Sequence, residues 1–353
     1  MCSVSDHLLE RDGSNPVESG ILPRGETQGK LPVAGLILEG HDKDVSTGRP
    51  KDEQHETENA RRCQADRAAA TGYCGASDAM EVASVCIHRG EEPPLNPIVN
   101  VFFAHCNLQC IYCQNRQISG RTTAPFPTYT PDTLADRVCS LLPPEGGLLG
   151  LVTAAHYIHL IPPTIEAIHR RGFHPTVVYN SSGYELATSL RTLDGLVDVY
   201  LPDLKYMDSS LAETCSRAPD YPEVAAAALA EMRRQVGTGL SSDPDTSLAS
   251  HGIIVRHLVL PGAQANAIAC LDWLADHFNP FSLHLSLMAQ YYPPTPTLPP
   301  PLNRGLLPDE YAAVARHAEA LGFCHGWTQA LDAQDSYRPD FDSALHPFEP
   351  ASH

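Results

Sequence analysis

The sequence lacks three features that would place the protein in a membrane, outside the cell or on a nucleic acid. No apolar run approaches the roughly 18 to 20 residues that a transmembrane helix needs. The N-terminus lacks the basic segment and the following apolar segment of a secretory leader. Positive charge is also scarce, because 24 Lys and Arg face 42 Asp and Glu, which gives a net charge of −18. We therefore expect a cytoplasmic protein that binds neither nucleic acid nor an anionic membrane.

Cysteine, by contrast, is abundant. The chain of 353 residues contains 11 cysteines, an odd number with uneven spacing. In a chain without a secretory leader this pattern argues against a disulfide framework. It favours a reducing compartment in which some of the thiols bind a metal.

Composition predicts four segments in the chain. Residues 1–60 form an acidic stretch, rich in Gly, Pro, Ser and charge, that we predict to be largely disordered. Residues 61–97 are expected to be a cysteine-containing extension that packs on the core. Residues 98–330 have the composition of a folded domain, since apolar runs recur there throughout. Residues 331–353 are expected to form a C-terminal tail.

Strand-length apolar runs alternate with helix-length amphipathic runs along the main domain. The predicted strands are 98–103, 148–153, 176–179, 197–201, 253–260 and 283–288, and the predicted helices are 131–142, 162–171, 184–193, 222–236, 265–277 and 308–321. Serial β-α units imply a parallel sheet covered by helices. The predicted fold is α/β, an incomplete parallel barrel of six β-α units, with a flat doubly wound sheet as the alternative. In both folds the site lies at the carboxyl ends of the strands.

The most specific motif follows the first predicted strand. Cys106, Cys110 and Cys113 have the spacing C-x3-C-x2-C, so three thiolates can converge on one cluster if this segment is a loop. A [4Fe-4S] cluster usually has four thiolate ligands, so three leave one iron open. An open iron can bind the amino and carboxylate groups of S-adenosylmethionine (SAM) and pass an electron to its sulfonium.

Three other interpretations of the cysteines remain open at this point. His105 could join the three cysteines around a zinc ion, although structural zinc motifs usually come as two paired clusters. A ferredoxin-type cluster would need a fourth cysteine close by, and none follows Cys113 before Cys139. The cysteines could also be buried and chemically inert.

The motif, with Tyr112 in its aromatic position, resembles the signature of radical SAM enzymes. The chain as a whole resembles the PflX-like group of that superfamily, which is related to pyruvate formate-lyase activating enzyme. The stretches that carry this resemblance run in order along the chain: 72–75, 90–94, 106–115, 179–184, 200–206, 218–222, 256–261 and 287–292. The resemblance implies that Cys106, Cys110 and Cys113 hold one [4Fe-4S] cluster and that Tyr112 contacts the adenine of SAM.

The same resemblance implies a binding site for the rest of SAM. Asn180 and Ser182 follow the third strand, and Asp203 and Lys205 follow the fourth. Lys205 can neutralise the SAM carboxylate, and Asp203 can bind its ammonium group or a monovalent cation beside it. Arg256 can serve the same anionic end. Each of these residues also has an ordinary alternative. Asp203 and Lys205 could form a strand-end ion pair, and Asn180 and Ser182 could be turn-forming residues. Arg256 could be a structural ion-pair partner.

Three departures from the group's pattern concern the site. Radical SAM proteins often carry Gly-Gly-Glu after the second strand, where this chain has Ala154-Ala155-His156, and we keep His156 as a SAM-site candidate. Paired cysteines ahead of Cys63 are missing, which weakens the case for a second metal site formed by Cys63 and Cys74. Gln290 stands where activating enzymes often have a histidine, and we assign it no catalytic role.

The sequence therefore predicts an enzyme that cleaves SAM reductively and abstracts a hydrogen atom. The resemblance implies a glycyl-radical enzyme as its protein substrate and flavodoxin or ferredoxin as its electron donor. Two other functions stay open: an iron–sulfur electron-transfer or redox protein without SAM chemistry, and a zinc-binding protein. An inactive member of the group is a third possibility, given Ala154 and Ala155.

Overall fold

The computed structural model describes residues 74–120, 126–336, 338–342 and 347–348, and within these ranges ten strands form one sheet. The segment 1–60 and Cys63 lie outside the described residues. The strands are β1 (Met80–His88), β2 (Ile98–Phe103), β3 (Thr128–Tyr129), β4 (Leu148–Val152), β5 (Thr176–Ser181), β6 (Val199–Pro202), β7 (Leu240–Ser242), β8 (Ala249–Leu258), β9 (His284–Met288) and β10 (His325–Thr328).

The centre of the sheet is parallel and the sheet is not closed. Its order is β10-β9-β8-β6-β5-β4-β2-β1-β3, with β7 paired to β8. Along this order, every neighbouring pair between β10 and β2 is parallel. β1 and β3 are antiparallel additions at one end, and β7 is antiparallel to β8. All residues of β2, β4 and β6 are buried, as strands covered on both faces require. The predicted open, mostly parallel α/β sheet is confirmed.

The structure adds strands that the sequence pattern did not reveal. β10 is one more parallel strand, and its sequence His-Gly-Trp-Thr is too short and polar to read as a buried strand. β7 and the start of β8 form an antiparallel hairpin inside residues 237–251, a stretch whose Gly, Ser and Asp content is typical of loops. β1 pairs with β2 and β3 and contains buried, partly buried and exposed residues, with a register shift between Val82 and Ser84.

Helices connect the parallel strands. They are α1 (Arg116–Ser119), α2 (Pro131–Cys139), α3 (Ile161–His169), α4 (Ala187–Leu190), α5 (Ser209–Ser216), α6 (Tyr221–Val236), α7 (Gln264–His277), α8 (Pro308–Leu321) and α9 (Ala333–Ser336). The helix predicted over 184–193 is shorter than expected and continues as a 3-10 turn, Arg191–Leu193. Thr130 caps α2 by accepting a hydrogen bond from Thr133 N at 3.2 Å. No helix among the described residues is long and apolar enough to cross a membrane.

The two faces of the sheet have different cores. The larger core lies between the sheet and the helices, and the smaller one lines the opposite face with residues that include Ile98, Leu148, Val199 and Ile254. Polar residues follow the smaller core toward the carboxyl edge of the sheet. Gly150 makes room for the first of them, because a Cβ there would lie 1.8 Å from Asn100 Oδ1. The site described below begins at this polar layer.

The described part of the C-terminal segment returns to the same face of the sheet. The rings of Phe341 and Phe348 lie 5.3 Å and 5.4 Å from the ring of Phe102 on β2. Gln117 on α1 holds the segment, since its Oε1 accepts from Phe341 N at 3.0 Å and its Nε2 donates to Asp340 Oδ1 at 2.9 Å. Asp340 and Phe341 are thereby fixed to the helix that follows the cysteine motif.

Glu185 is a buried carboxyl group just after β5. It is 4% exposed and accepts hydrogen bonds from Ser181 Oγ at 2.8 Å and Tyr179 Oη at 3.3 Å. Burial raises the pKa of Glu185 to about 7, even though both hydrogen bonds act to lower it. The folded protein therefore holds a proton here at pH values where the unfolded chain has lost it.

Because the pKa of Glu185 is higher in the folded protein than in the unfolded chain, we predict that Glu185→Gln changes stability in a pH-dependent way. The contribution of the wild-type carboxyl to stability is fully present below pH 4.5 and is lost as pH rises through about 7. Relative to wild type, we expect the variant to gain about 2 to 3 kcal/mol between pH 5 and pH 8, as measured by urea unfolding. Glu213→Gln, at an exposed glutamate on α5, is the control. An equal response of both variants to pH would contradict the prediction.

Candidate metal centre

The three motif cysteines lie on a loop at the carboxyl end of β2. His105, the residue before the loop, has a φ of 71°, a left-handed conformation that turns the chain away from the strand. Within the loop, Leu108 N lies 3.4 Å from Cys106 Sγ and Cys113 N donates to Cys110 O at 3.1 Å. All three cysteine side chains are half-buried. The sequence prediction that these cysteines share one loop beyond a strand therefore agrees with the geometry.

The loop is docked on the end of α5. Gln109 N donates to Ser216 O at 3.3 Å, and Ile111 N donates to Cys215 O at 2.9 Å. Carbonyls in the last turn of a helix have no partner within the helix, so the loop satisfies them. On its other side, Asn107 Nδ2 donates to Tyr184 O at 2.6 Å. The loop is thus fixed by elements that lie far from it in sequence.

The three thiols share one electrostatic environment. Burial raises the pKa of Cys106, and Cys110 and Cys113 raise it further. Burial also raises the pKa of Cys110 to about 11, although the ammonium of Lys205 opposes the increase. The charges of neighbouring thiols therefore influence the pKa of Cys106 and the pKa of Cys110. A metal that bound them would displace the thiol protons.

The arrangement fits a cluster better than a single ion. Among the residues that the structure describes, no three His, Cys, Asp or Glu side chains are close enough together to hold one metal ion. His105, the proposed fourth zinc ligand, instead places Nε2 2.7 Å from Glu81 Oε2. In an iron–sulfur cubane each thiolate binds a different iron, so its cysteines lie farther apart than ligands of one ion. Three cysteines on one loop supply thiol donors of the kind that such a cluster binds.

Tyr112 is buried beneath the loop. Its hydroxyl lies 2.5 Å from that of Tyr206, and its ring lies 6.2 Å from the ring of Tyr291. Burial raises the pKa of Tyr112 well above its usual range, so the hydroxyl stays protonated. The structure places this side chain beside the cysteines, as the motif predicts, and gives it a hydrogen-bond partner that the sequence did not indicate.

Asp203 and Lys205 follow β6 and form an ion pair at 2.5 Å. Burial alone would lower the pKa of Lys205, but Asp203 and the nearby thiols Cys110 and Cys113 outweigh it and raise the pKa. Lys205 therefore carries its charge beside the cysteine loop. The strand-end ion pair is present, and the contact of Lys205 and Asp203 with SAM stays a prediction.

Arg256 on β8 is engaged by two glutamates. Its Nε donates to Glu92 Oε1 at 2.8 Å, its Nη2 donates to Glu92 Oε2 at 2.6 Å, and it also pairs with Glu91. Burial would raise the pKa of Glu92, but Arg256 outweighs this effect and lowers it. Asn100 Nδ2 donates to Glu91 Oε1 at 3.1 Å. The stretch 90–94, which carried part of the sequence resemblance, thus supplies the partners of Arg256.

The remaining predicted residues lie at neighbouring strand ends. Asn180 O, on β5, accepts from Thr153 N at 3.0 Å. Ser182 O accepts a hydrogen bond from the hydroxyl group of Tyr221, the first residue of α6, at 2.8 Å. This contact fixes the backbone of Ser182 to α6. His156 is buried, and its Nε2 lies 2.6 Å from Ala104 O. His156 therefore supports the backbone just ahead of Cys106.

Several site residues escaped the sequence reasoning. Ser216 Oγ donates to Cys110 Sγ at 3.0 Å, and Ser119 Oγ lies 3.3 Å from Cys113 Sγ. Gln114 Nε2 donates to Gln290 O at 2.8 Å, which ties the loop after β2 to the end of β9. Gln329 Nε2 in turn donates to Gln290 Oε1 at 2.8 Å. The serines carry no sequence signal, whereas Gln114 lies within a resembling stretch and Gln290 was noted in the sequence without a role.

Comparisons with known proteins give one sequence relative and several solved structures. No protein-family model matches the chain. An uncharacterized protein of Methanocaldococcus jannaschii is 24% identical over 272 residues, which cover 73% of this chain and 72% of that protein. A domain of a pyruvate-formate lyase-activating enzyme from Bacteroides vulgatus matches 52% of this chain and 100% of its own, with 12% identity and a TM-score of 0.37.

Two further structures cover more of the chain. Native anSMEcpe with bound AdoMet matches 64% of this chain and 61% of its own, less than two thirds, with 10% identity and a TM-score of 0.45. A spore photoproduct lyase matches 70% of this chain and 79% of its own, with 12% identity and a TM-score of 0.46. All three structures are radical SAM enzymes, the superfamily that the cysteine motif resembles. At such low identities the activity has to be argued from this chain's own residues.

The contacts of Arg256 generate a prediction that separates its two interpretations. Arg256→Ala leaves Glu91 and Glu92 without their cation, and we expect a loss of about 3 to 5 kcal/mol in the free energy of unfolding. Arg170→Ala, which breaks an exposed pair with Asp132, is the control and should cost less than about 1 kcal/mol. Stability would be measured by urea unfolding. An Arg256→Ala protein of wild-type stability with weakened SAM binding would instead assign Arg256 to the ligand.

Proposed function

We propose that this protein is a radical SAM enzyme in which Cys106, Cys110 and Cys113 hold one [4Fe-4S] cluster. The observation that supports the proposal is the position of the three cysteines on one loop at the carboxyl edge of an open parallel sheet. That edge is where ligands bind in parallel α/β folds. The motif lacks a fourth cysteine, and the protein thereby leaves one iron open to a substrate.

The chain's own residues would prepare the site for SAM. Lys205 carries a positive charge next to the loop and can pair with the SAM carboxylate, while Asp203 can bind its ammonium group or a monovalent cation. Asn180 and Ser182 lie at the end of the neighbouring strand and can complete the polar contacts. Arg256, held by Glu91 and Glu92, supports Asp203 through the backbone, since Leu204 N donates to Arg256 O at 2.9 Å.

The bound groups would supply the chemistry. With cluster and SAM in place, one electron passes to the sulfonium, a C–S bond breaks, and methionine and a 5′-deoxyadenosyl radical form for hydrogen abstraction. The protein's task is to position SAM and to exclude water. Tyr112 lies beneath the loop and Asn107 ties the loop to the segment after β5, so both limit its movement.

The substrate and the electron donor belong to the finer part of the proposal. The sequence resemblance to activating enzymes supports a protein substrate, a glycyl-radical enzyme, and a small electron-transfer protein such as flavodoxin or ferredoxin as the donor. Support for the electron-transfer alternative would be a reducible cluster that does not respond to SAM. The zinc alternative has less support, because structural zinc motifs usually come as two paired clusters of cysteines.

The direct test is SAM cleavage by protein purified without oxygen and reconstituted with iron and sulfide. With dithionite and SAM, we expect 5′-deoxyadenosine, measured by mass spectrometry. Cys113→Ala removes a ligand and should abolish both the product and stable cluster binding. Cys139→Ala, a half-buried cysteine on α2, is the matched control and should retain both.

Each result has a distinct meaning. If wild type and Cys139→Ala form 5′-deoxyadenosine and Cys113→Ala does not, the result would support reductive SAM cleavage. An intact, reducible cluster that yields no product would contradict the enzyme proposal and favour the electron-transfer function. A colourless protein that contains zinc in place of iron would contradict the cluster itself.

A further inference from the structure

A chain of hydroxyl groups runs from the core to one of the three cysteines. Tyr112 Oη lies 2.5 Å from Tyr206 Oη, Tyr206 Oη lies 2.7 Å from Ser216 Oγ, and Ser216 Oγ lies 3.0 Å from Cys110 Sγ. Tyr206 and Ser216 are at most 1% exposed, and Tyr112 is 5% exposed. The chain is therefore shielded from water, where hydrogen bonds are electrostatically stronger.

Binding of a metal at Cys110 fixes the direction of every hydrogen bond in this chain. A metal-bound thiolate has no proton to donate, so Ser216 must donate its hydroxyl proton to the sulfur. The Ser216 oxygen is then free to accept from Tyr206, whose oxygen accepts from Tyr112 in turn. All three hydroxyl dipoles point their positive ends toward Cys110, and aligned hydrogen bonds of this kind strengthen one another.

We propose that Ser216, backed by Tyr206 and Tyr112, is a positioning residue that raises the reduction potential of the cluster through Cys110. This inference rests on the proposed function, because it assumes a cluster on the three cysteines. On reduction, one electron from an external donor such as dithionite enters the cluster and no bond in the protein breaks. The electron makes the cluster more negative, and a proton donated to a ligand sulfur stabilises that state.

The other two cysteines lack an equivalent arrangement. Cys106 Sγ accepts from the backbone N–H of Leu108 at 3.4 Å and not from a hydroxyl group. Cys113 Sγ lies 3.3 Å from Ser119 Oγ on α1, a hydroxyl that is not part of a longer chain of hydroxyls. Only Cys110 thus has a short hydroxyl contact extended by two further buried hydroxyls within the described residues. The aromatic position of the motif, Tyr112, joins this chain through its hydroxyl.

The test is a potentiometric measurement on the reconstituted full-length protein, followed by electron paramagnetic resonance. At a fixed potential near the wild-type midpoint, we expect Ser216→Ala to lower the ratio of reduced to oxidised cluster about five- to tenfold, the loss of roughly one hydrogen bond. Tyr206→Phe keeps the Ser216 hydroxyl but removes its polarising neighbour, so it should shift the ratio in the same direction by less. Thr214→Ala removes a hydroxyl from the same helix that donates to Ser210 O, and is the control.

The outcomes separate this inference from the proposed function. A more negative midpoint in Ser216→Ala and Tyr206→Phe, with iron content and Thr214→Ala unchanged, supports the inference. Unchanged midpoints in both variants with full iron content overturn it and leave the proposed function intact. If Ser216→Ala fails to fold, Tyr206→Phe alone decides. A wild-type protein that assembles no cluster overturns both proposals.

Discussion

The docking of the cysteine loop on the end of α5 is the contact on which the site depends. Gln109 N and Ile111 N donate to carbonyls that the last turn of α5 leaves without helical partners. These two hydrogen bonds therefore pair N–H groups of the loop with carbonyl groups of the helix end. In the same place, Ser216 Oγ lies 3.0 Å from Cys110 Sγ. Asn107 and Gln114 fix the same loop from other elements, by donating to Tyr184 O and Gln290 O.

Buried charge organises the rest of the carboxyl edge. Arg256 is held by Glu91 and Glu92, and Lys205 pairs with Asp203. Arg256 makes a bidentate contact with Glu92, which is the geometry that a guanidinium favours. Lys205, a point charge on a flexible stem, faces the cysteine loop. The two cations that the sequence suggested for the same role thus have different partners: Arg256 pairs with Glu91 and Glu92, and Lys205 pairs with Asp203.

The sequence was sufficient for the parallel strands and for the cysteine loop. Runs such as 98–103 and 148–152 are apolar except for Asn100, and a buried parallel strand is the structure that such a run favours. Spacing alone placed Cys106, Cys110 and Cys113 beyond the first of these strands. β10 escaped prediction because its short sequence is polar, and its place in the sheet depends on pairing with β9.

The residues that contact the site residues could not be predicted either, because they lie far away in the sequence. Ser216 is an ordinary serine at the end of a helix, and its contact with Cys110 spans 106 positions in the sequence. The contact of Arg256 with Glu92 spans 164 positions. Neither pair has a local pattern, because tertiary packing alone brings the residues together.

The central claim is that three cysteines hold a four-iron cluster with one iron open to SAM. Mössbauer spectroscopy of protein reconstituted with isotopically enriched iron tests it most directly, with and without SAM. We expect SAM to change the Mössbauer signal of one iron in four, the iron that lacks a thiolate ligand. Four irons that are unaffected by SAM, or iron in a form other than a four-iron cluster, would contradict it.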